Sequence, residues 1–113
     1  MLSKEEIQAI KKKFNSREPV CEQMISLFSL LSNKIRFRIL CLLLEGDFCV
    51  TDIVDIIQIG KISNVSQQLK LLTMAGIIDN RRDKKQIFYR LKNEKIRDLV
   101  AFIQKNYLDM KNI

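Results

Sequence analysis

A run of polar side chains between positions 63 and 70 has the composition of a surface that binds nucleic acid. When this run is drawn as a helix with about 100° per residue, four of its polar residues fall within an arc of about 100°. The apolar residues Val65, Leu69 and Leu72 cluster on the other side. Hydroxyls, amides and a cation can donate to phosphates and read base edges in a major groove. The four residues of the arc are Ser63, Ser66, Gln67 and Lys70, and the predicted DNA contacts of this segment also include Asn64 and Gln68.

An ordinary solvated helix face is the alternative interpretation of this segment. Such faces usually include Glu or Asp, yet no carboxylate occurs between Asp55 and Asp79. The pattern therefore favours DNA contact over simple solvation.

A second group of cations follows shortly along the chain. The cations at Arg81, Arg82, Lys84, Lys85 and Arg90 are offset only by Asp83 in this interpretation. Two strand-like runs flank Asp83-Lys84-Lys85, which predicts a β-hairpin with a charged tip. A cationic hairpin beside a helix-turn-helix is typical of a DNA-binding wing, whose phosphate contacts add affinity and salt dependence. Arg81, Arg82, Lys84 and Lys85 are its predicted DNA contacts.

Three cysteines, Cys21, Cys41 and Cys49, are the remaining reactive side chains, and the chain contains no histidine. An odd number of thiols in a chain without a secretory signal argues against a disulfide framework. Three interpretations stay open: apolar packing, a thiol switch that pairs Cys41 with Cys21 or Cys49, and a soft-metal thiolate site. Because Cys49 precedes a short helix and Cys41 lies in an apolar one, Cys49 is expected to be the more reactive of these two.

The elements that position these residues follow from hydrophobic periodicity and capping signals. Asp52–Met74 is predicted to form two helices joined by a turn at Gly60, with Thr51 as N-cap and Gly76 at the C-terminal end. Asn15 and Ser16 are expected to break the first helix, and Asn93 to cap the last. The last helix has an apolar stripe that is expected to be exposed in one chain and to pack across a two-fold axis. The stripe consists of Ile96, Leu99, Val100, Ile103, Tyr107 and Met110. The predicted ranges are helices at about 4–16, 19–32, 35–44, 52–57, 62–74 and 93–110, an extended segment at 48–50, and strands at 77–82 and 86–91.

Composition sets the class of protein. The chain has 113 residues, a net charge of +7 and a pI of about 9.5, with only 3 Gly and 1 Pro. The low Gly and Pro content predicts a single, mainly α (α+β) domain over residues 1–113. The positive charge predicts a surface that binds a polyanion, although a generally basic surface without such a partner would give the same net charge. No apolar run reaches the ~18 residues of a membrane span, and no signal peptide is evident. A cytoplasmic protein without a membrane partner is therefore expected.

Several segments in unbroken order resemble the ArsR/SmtB family, over roughly residues 20–108. They are Leu30–Leu40, Phe48–Ile53, Val65–Leu72, Ala75–Ile78 and Phe88–Leu91. The resemblance implies a winged helix-turn-helix that forms a homodimer through its first and last helices. It also implies a repressor that leaves its double-stranded DNA operator when an inducer binds. The turn at Gly60 is one residue longer than the family pattern.

The resemblance also frames the choice of inducer. The arsenic-type motif has two cysteines at the positions of Cys49 and Thr51, so Thr51 leaves that site incomplete. The family's zinc site uses histidines, which are absent here. The segment from Arg38 to Leu43 resembles the persulfide-sensing BigR/HlyU-type branch, which pairs the cysteine at position 41 with a second one where Leu108 stands. A Cys41 bridge of that type therefore cannot form here. A sulfur species or a soft metal is the implied class of inducer, with no resident metal or cofactor.

Other classes of function have less support. An enzyme is disfavoured because the chain lacks a histidine, a glycine-rich phosphate loop and paired carboxylates. A winged-helix module that binds proteins would be expected to carry acidic or apolar residues between Ser63 and Lys70. A constitutive DNA-binding regulator without a small inducer is the other alternative.

Overall fold

The computed structural model describes the backbone of residues 1–108 and the side chains of residues 1–106. The chain forms two compact units, Met1–Ser32 and a second unit that begins at Asn33. The helices are α1 Lys4–Ser16, α2 Glu18–Leu31, α3 Lys34–Leu43, α4 Val50–Ile57, α5 Ile62–Met74 and α6 Glu94–Ile103, followed by a π-helical turn at Gln104–Leu108. The strands are β1 Phe48–Cys49, β2 Ile78–Asp83 and β3 Gln86–Leu91. The predicted mainly α fold with a β wing is confirmed.

The first unit consists of α1 and α2. Ser3 caps α1 in a capping box: its hydroxyl accepts the N–H of Glu6 at 3.1 Å, and the Glu6 carboxylate accepts the N–H of Ser3 at 3.1 Å. The predicted range of 4–16 is confirmed, since α1 ends at Ser16 and Arg17 is its C-cap. The Ser16 hydroxyl donates to the carbonyl of Lys13 at 2.8 Å, which satisfies a terminal carbonyl of the helix.

The core of the second unit is built around α3. Asn33 caps this helix by accepting the N–H of Arg36 at 3.0 Å. Helix α3 contacts α4, α5, α6 and β3, which agrees with its apolar residues being spread around the helix. The side chains buried to 1% exposure or less are Ile39, Leu40, Leu43, Ile53, Val65, Leu69, Leu72, Ile78 and Val100.

The three strands form one antiparallel sheet in the order β1-β3-β2. The register between β2 and β3 runs from Ile78 opposite Leu91 to Asp83 opposite Gln86. Asp83 therefore belongs to the strand rather than to the tip, which consists of Lys84 and Lys85. Lys84 has a φ of 58°, the left-handed conformation that a tight hairpin turn requires.

The start of α4 differs from the sequence prediction. Thr51 was expected to be the N-cap, but Cys49 occupies that position with extended backbone, and the helix begins at Val50. Cys49 lies opposite Phe88 in the sheet, so the chain passes directly from the β1 ladder into the helix. No separate capping residue therefore stands between the strand and the helix, in contrast to the prediction.

Helix α6 begins at its predicted cap, where the Asn93 side chain accepts the N–H of Ile96 at 3.1 Å. Its expected exposed apolar stripe, however, was partly wrong. Ile96 and Val100 are 5% and 0% exposed in the single chain, while Phe102 is 60% exposed. Leu99 and Ile103 are half-buried. The predicted stripe residues Tyr107 and Met110 lie outside the described side chains. None of the described helices has the length and apolar character needed to cross a membrane.

Helix α5 ends in a Schellman motif whose left-handed residue is Gly76, with a φ of 75°. The N–H of Gly76 donates to the carbonyl of Thr73 at 3.0 Å, and the N–H of Ile77 donates to the carbonyl of Leu72 at 3.1 Å. A Cβ on Gly76 would meet no atom within 4 Å. The cost of a side chain at this position is therefore conformational and not steric.

We expect Gly76→Ala to lower the free energy of unfolding by about 1 kcal/mol, because L residues disfavour the left-handed region. Gly76→Asn should lose less, since asparagine tolerates this conformation better. Urea unfolding followed by circular dichroism measures both variants. The left-handed conformation assigned to Gly76 would be contradicted by an alanine variant as stable as the parent. It would also be contradicted by an asparagine variant less stable than the alanine one.

Candidate nucleic-acid interface

Helices α4 and α5 are joined by a short turn that two left-handed residues make possible. Gln58 ends α4 with a φ of 55°, and Gly60 follows with a φ of 76°. A side chain at Gly60 would place its Cβ 2.9 Å from Cδ1 of Ile35 in α3. The turn therefore lies directly against α3, and the two helices form a helix-turn-helix.

Helix α5 has the two faces that its sequence predicted. Val65, Leu69 and Leu72 are each 0% exposed and form the inner face. The polar residues on the outer face are Ser63, Asn64, Ser66, Gln67 and Lys70, and all five are exposed. Their hydroxyl, amide and ammonium groups are available to an external partner without any rearrangement of the core.

Gln68 is the exception among the predicted residues of α5. It is half-buried, and its Oε1 accepts a hydrogen bond from Nη1 of Arg36 at 2.7 Å. Sequence reasoning missed the role of Arg36. A signal was present, because the helical wheel places Gln68 outside the arc that contains Ser63, Ser66, Gln67 and Lys70.

The amino-terminal end of α5 is also open to a partner. No side chain in the described part of the chain caps it, and its first turn contains no acidic residue. Unpaired N–H groups and the helix dipole give such an end a partial positive charge. The exposed face of α5 thus begins at a site that favours anionic groups.

The wing cations are less uniform than the sequence suggested. Arg90 donates to Asp79 at 2.7 Å and 3.3 Å, and this ion pair holds the pKa of Asp79 below its usual value and that of Arg90 above it. Arg81 lies 3.5 Å from Asp47 and 3.9 Å from Asp83, with its guanidinium 5.0 Å from the centre of the Phe88 ring. The prediction that Asp83 alone offsets these cations was wrong.

The uncompensated cations of the wing are concentrated at the tip of the hairpin. Arg82, Lys84 and Lys85 are exposed and have no carboxylate partner among residues 1–106. Nε of Arg82 donates to the carbonyl of Lys84 at 3.4 Å, which places all three charges around the turn. The strand register explains why paired and unpaired cations are separated, since Asp79 lies directly opposite Arg90 at the base of the hairpin.

The three cysteines differ in access. Cys21 is exposed, Cys41 is half-buried, and Cys49 is 5% exposed with its Sγ 3.2 Å from the Thr51 hydroxyl oxygen. Burial raises the pKa of the Cys41 thiol, and the nearby Arg38 opposes that rise. Cys49, which the sequence predicted to be the more reactive of these two thiols, is the more buried one.

Cys41 lies in a groove of about 460 Å³ on the second unit, which Arg38 and Ile56 also line. Among the residues that the structure describes, no three His, Cys, Asp or Glu side chains are grouped so that they could hold a metal ion. The roles predicted for the cysteines remain predictions.

An exposed polar helix in a helix-turn-helix, followed by a hairpin with a cationic tip, defines the winged-helix class of DNA-binding proteins. Residues 33–80 match the model of the bacterial regulatory proteins of the arsR family. The chain is 40% identical over 83 residues to the biofilm growth-associated repressor of Xylella fastidiosa. The aligned residues make up 74% of this chain and 72% of that protein. The chain belongs to the ArsR family.

Solved structures agree with this assignment. The structure of the transcriptional repressor BigR from Xylella fastidiosa matches with a TM-score of 0.75 and 34% identity, covering 85% of this chain and 94% of that one. The homodimeric winged helix-turn-helix domain of Mb0332 from Mycobacterium bovis matches with a TM-score of 0.65 and 26% identity, covering 78% and 81%. BigR is named a transcriptional repressor, and the Mb0332 domain is named a DNA-binding domain. The predicted class, a DNA-binding transcriptional regulator and not an enzyme, is confirmed by the family.

The separation of paired and unpaired cations predicts a difference in the salt dependence of DNA binding. Lys84→Ala should lower the magnitude of the slope of log K against log salt by about 1, because one phosphate contact is lost. Arg90→Ala removes the same charge but should change the slope much less, since Arg90 is already paired with Asp79. Fluorescence anisotropy over a series of salt concentrations measures both, and equal changes in slope would contradict the assignment.

Proposed function

We propose that a homodimer of this chain binds a double-stranded DNA operator and represses transcription until an inducer releases it. The observation that carries this proposal is the outer face of α5, which is polar, exposed and free of carboxylates from Ile56 to Ile78. In this arrangement α5 enters the major groove, and the wing lies along the neighbouring backbone.

The side chains of α5 divide by chemistry. In this proposal Gln67 makes a bidentate contact with a base, because it is exposed and its amide offers both a donor and an acceptor. Ser63, Asn64, Ser66 and Lys70 supply shorter polar contacts to bases and phosphates. Arg82, Lys84 and Lys85 bind phosphates or the minor groove, with Arg81 beside them held in its ion pairs.

A dimer is supported by apolar surface that the single chain leaves exposed on both terminal helices. Ile7 and Ile10 of α1 are each 42% exposed, Phe14 is 65% exposed, and Phe102 of α6 is 60% exposed. Large apolar patches of this kind mark interfaces. The homodimeric Mb0332 domain provides independent support. We propose that residues 4–16 and the last helix form the dimer contact.

Release by an inducer is proposed from the similarity to BigR, which is named a repressor. A sulfur species that reacts with a thiol and a soft metal both remain candidates for the inducer, and Cys41 and Cys21 are the more accessible thiols. We propose a cytoplasmic location, because binding to an operator requires access to the DNA inside the cell. A module that binds only proteins is disfavoured, because the outer face of α5 is neither acidic nor apolar between Ser63 and Lys70.

The first test separates base reading from general attraction. Gln67→Ala should weaken binding to operator DNA by about 1–3 kcal/mol, the range for one lost base contact, and should leave binding to random duplex nearly unchanged. Fluorescence polarisation against the DNA upstream of its own gene and against a shuffled duplex measures both. Equal losses on the two duplexes would show that this face does not read bases.

The second test concerns assembly. Sedimentation at micromolar concentration should give twice the 13.3 kDa mass of one chain, and Phe14→Asp should shift the protein to one chain because it introduces a charge into the apolar contact. Met74→Asp is the matched control, since Met74 is 79% exposed on α5 and lies outside both terminal helices. A parent that sediments as one chain would overturn the dimer.

A further inference from the structure

The first turn of α3 touches the helix-turn-helix at two places. Ile35 lies against the turn, where its Cδ1 would be 2.9 Å from a Cβ at Gly60. The next residue, Arg36, donates from Nη1 to Oε1 of Gln68, in the middle of α5, at 2.7 Å. Two adjacent residues of α3 therefore contact the turn before α5 and the centre of α5.

The side chain of Arg36 starts from a fixed backbone. Asn33 caps α3 by accepting the N–H of Arg36 at 3.0 Å, so the cap and the link to α5 meet in one residue. A guanidinium that donates to an amide oxygen makes a charge-assisted hydrogen bond, which is stronger than a neutral one. The bond is part-buried, which limits competition from water.

Gln68 occupies the border between the two faces of α5. Its neighbours along the chain are Gln67, which is exposed, and Leu69, which is 0% exposed. The apolar contacts of Leu69 fix how deeply α5 packs, but apolar contact is not directional. A hydrogen bond at the border is directional and restrains rotation of the helix about its own axis.

We propose that Arg36 and Gln68 are positioning residues, which set the rotation at which α5 presents Gln67 and Lys70 to DNA. Gln68 thus acts from behind the recognition surface and does not contact bases, in contrast to its assignment from the sequence. This inference rests on the proposed function, and the experiment separates the two.

The experiment measures the ratio of affinities for operator and random duplex in Arg36→Ala, Gln68→Ala and the double variant. Each should lower the ratio by about tenfold, in the range for a lost hydrogen bond to a charged group. The double variant should lose no more than the more impaired single variant, because each single substitution already removes this bond. Lys34→Ala is the charge control for Arg36→Ala, since Lys34 is exposed on the same helix, and its ratio should not change.

Gln68→Glu distinguishes positioning from contact. A carboxylate still accepts from Arg36, so this variant should keep the ratio within about twofold of the parent, whereas a carboxylate facing DNA would be repelled by phosphates. Circular dichroism confirms folding, and a purely structural role would lower both affinities together without changing the ratio.

If the parent binds its operator, three results would overturn the positioning role. They are losses that multiply in the double variant, a ratio unchanged in both single variants, and loss of operator binding in Gln68→Glu. A parent that binds neither duplex would overturn the proposed function, and this inference with it. The parent measurement alone therefore distinguishes the two failures.

Discussion

The burial of the inner face of α5 against α3 and α4 is the constraint on which the rest of the second unit depends. Val65, Leu69 and Leu72 lose all contact with solvent, as do Ile39 and Leu40 of α3. Closely packed interiors resist displacement of their side chains. Because one face of α5 is fixed in this way, the opposite face must project outward, and its polar residues cannot be buried instead.

The sheet contributes a second constraint, which is electrostatic. Antiparallel register sets Asp79 opposite Arg90, and the Arg81 guanidinium lies within ion-pair distance of Asp47. Charges at the base of the hairpin are therefore balanced locally, while those at the turn are not. Positive charge is thus unevenly distributed along the hairpin, and a polyanion that approaches the hairpin is attracted most strongly to its tip.

Most of the fold could be predicted from local patterns. The bounds of α5 and β3, the cap at Asn93 and the left-handed glycine at position 76 depend on signals within a few residues. The errors arose where distant parts of the chain meet. Cys49 displaces Thr51 as the cap because β1 pairs with β3, and Ile96 and Val100 are buried by a core that periodicity alone does not describe. The link between Arg36 and Gln68 joins residues 32 positions apart, so only the tertiary structure shows it.

The left-handed backbone of Lys84 has a consequence for how this chain can change. Glycine or asparagine would adopt that conformation at lower cost than lysine, so stability alone does not favour the present residue. Selection for heat resistance in the absence of DNA would therefore favour replacement of Lys84 by glycine or asparagine. The stabilised variants would lose one of the unpaired cations at the tip of the hairpin. Resistance to unfolding and attraction to a polyanion oppose each other at this single position.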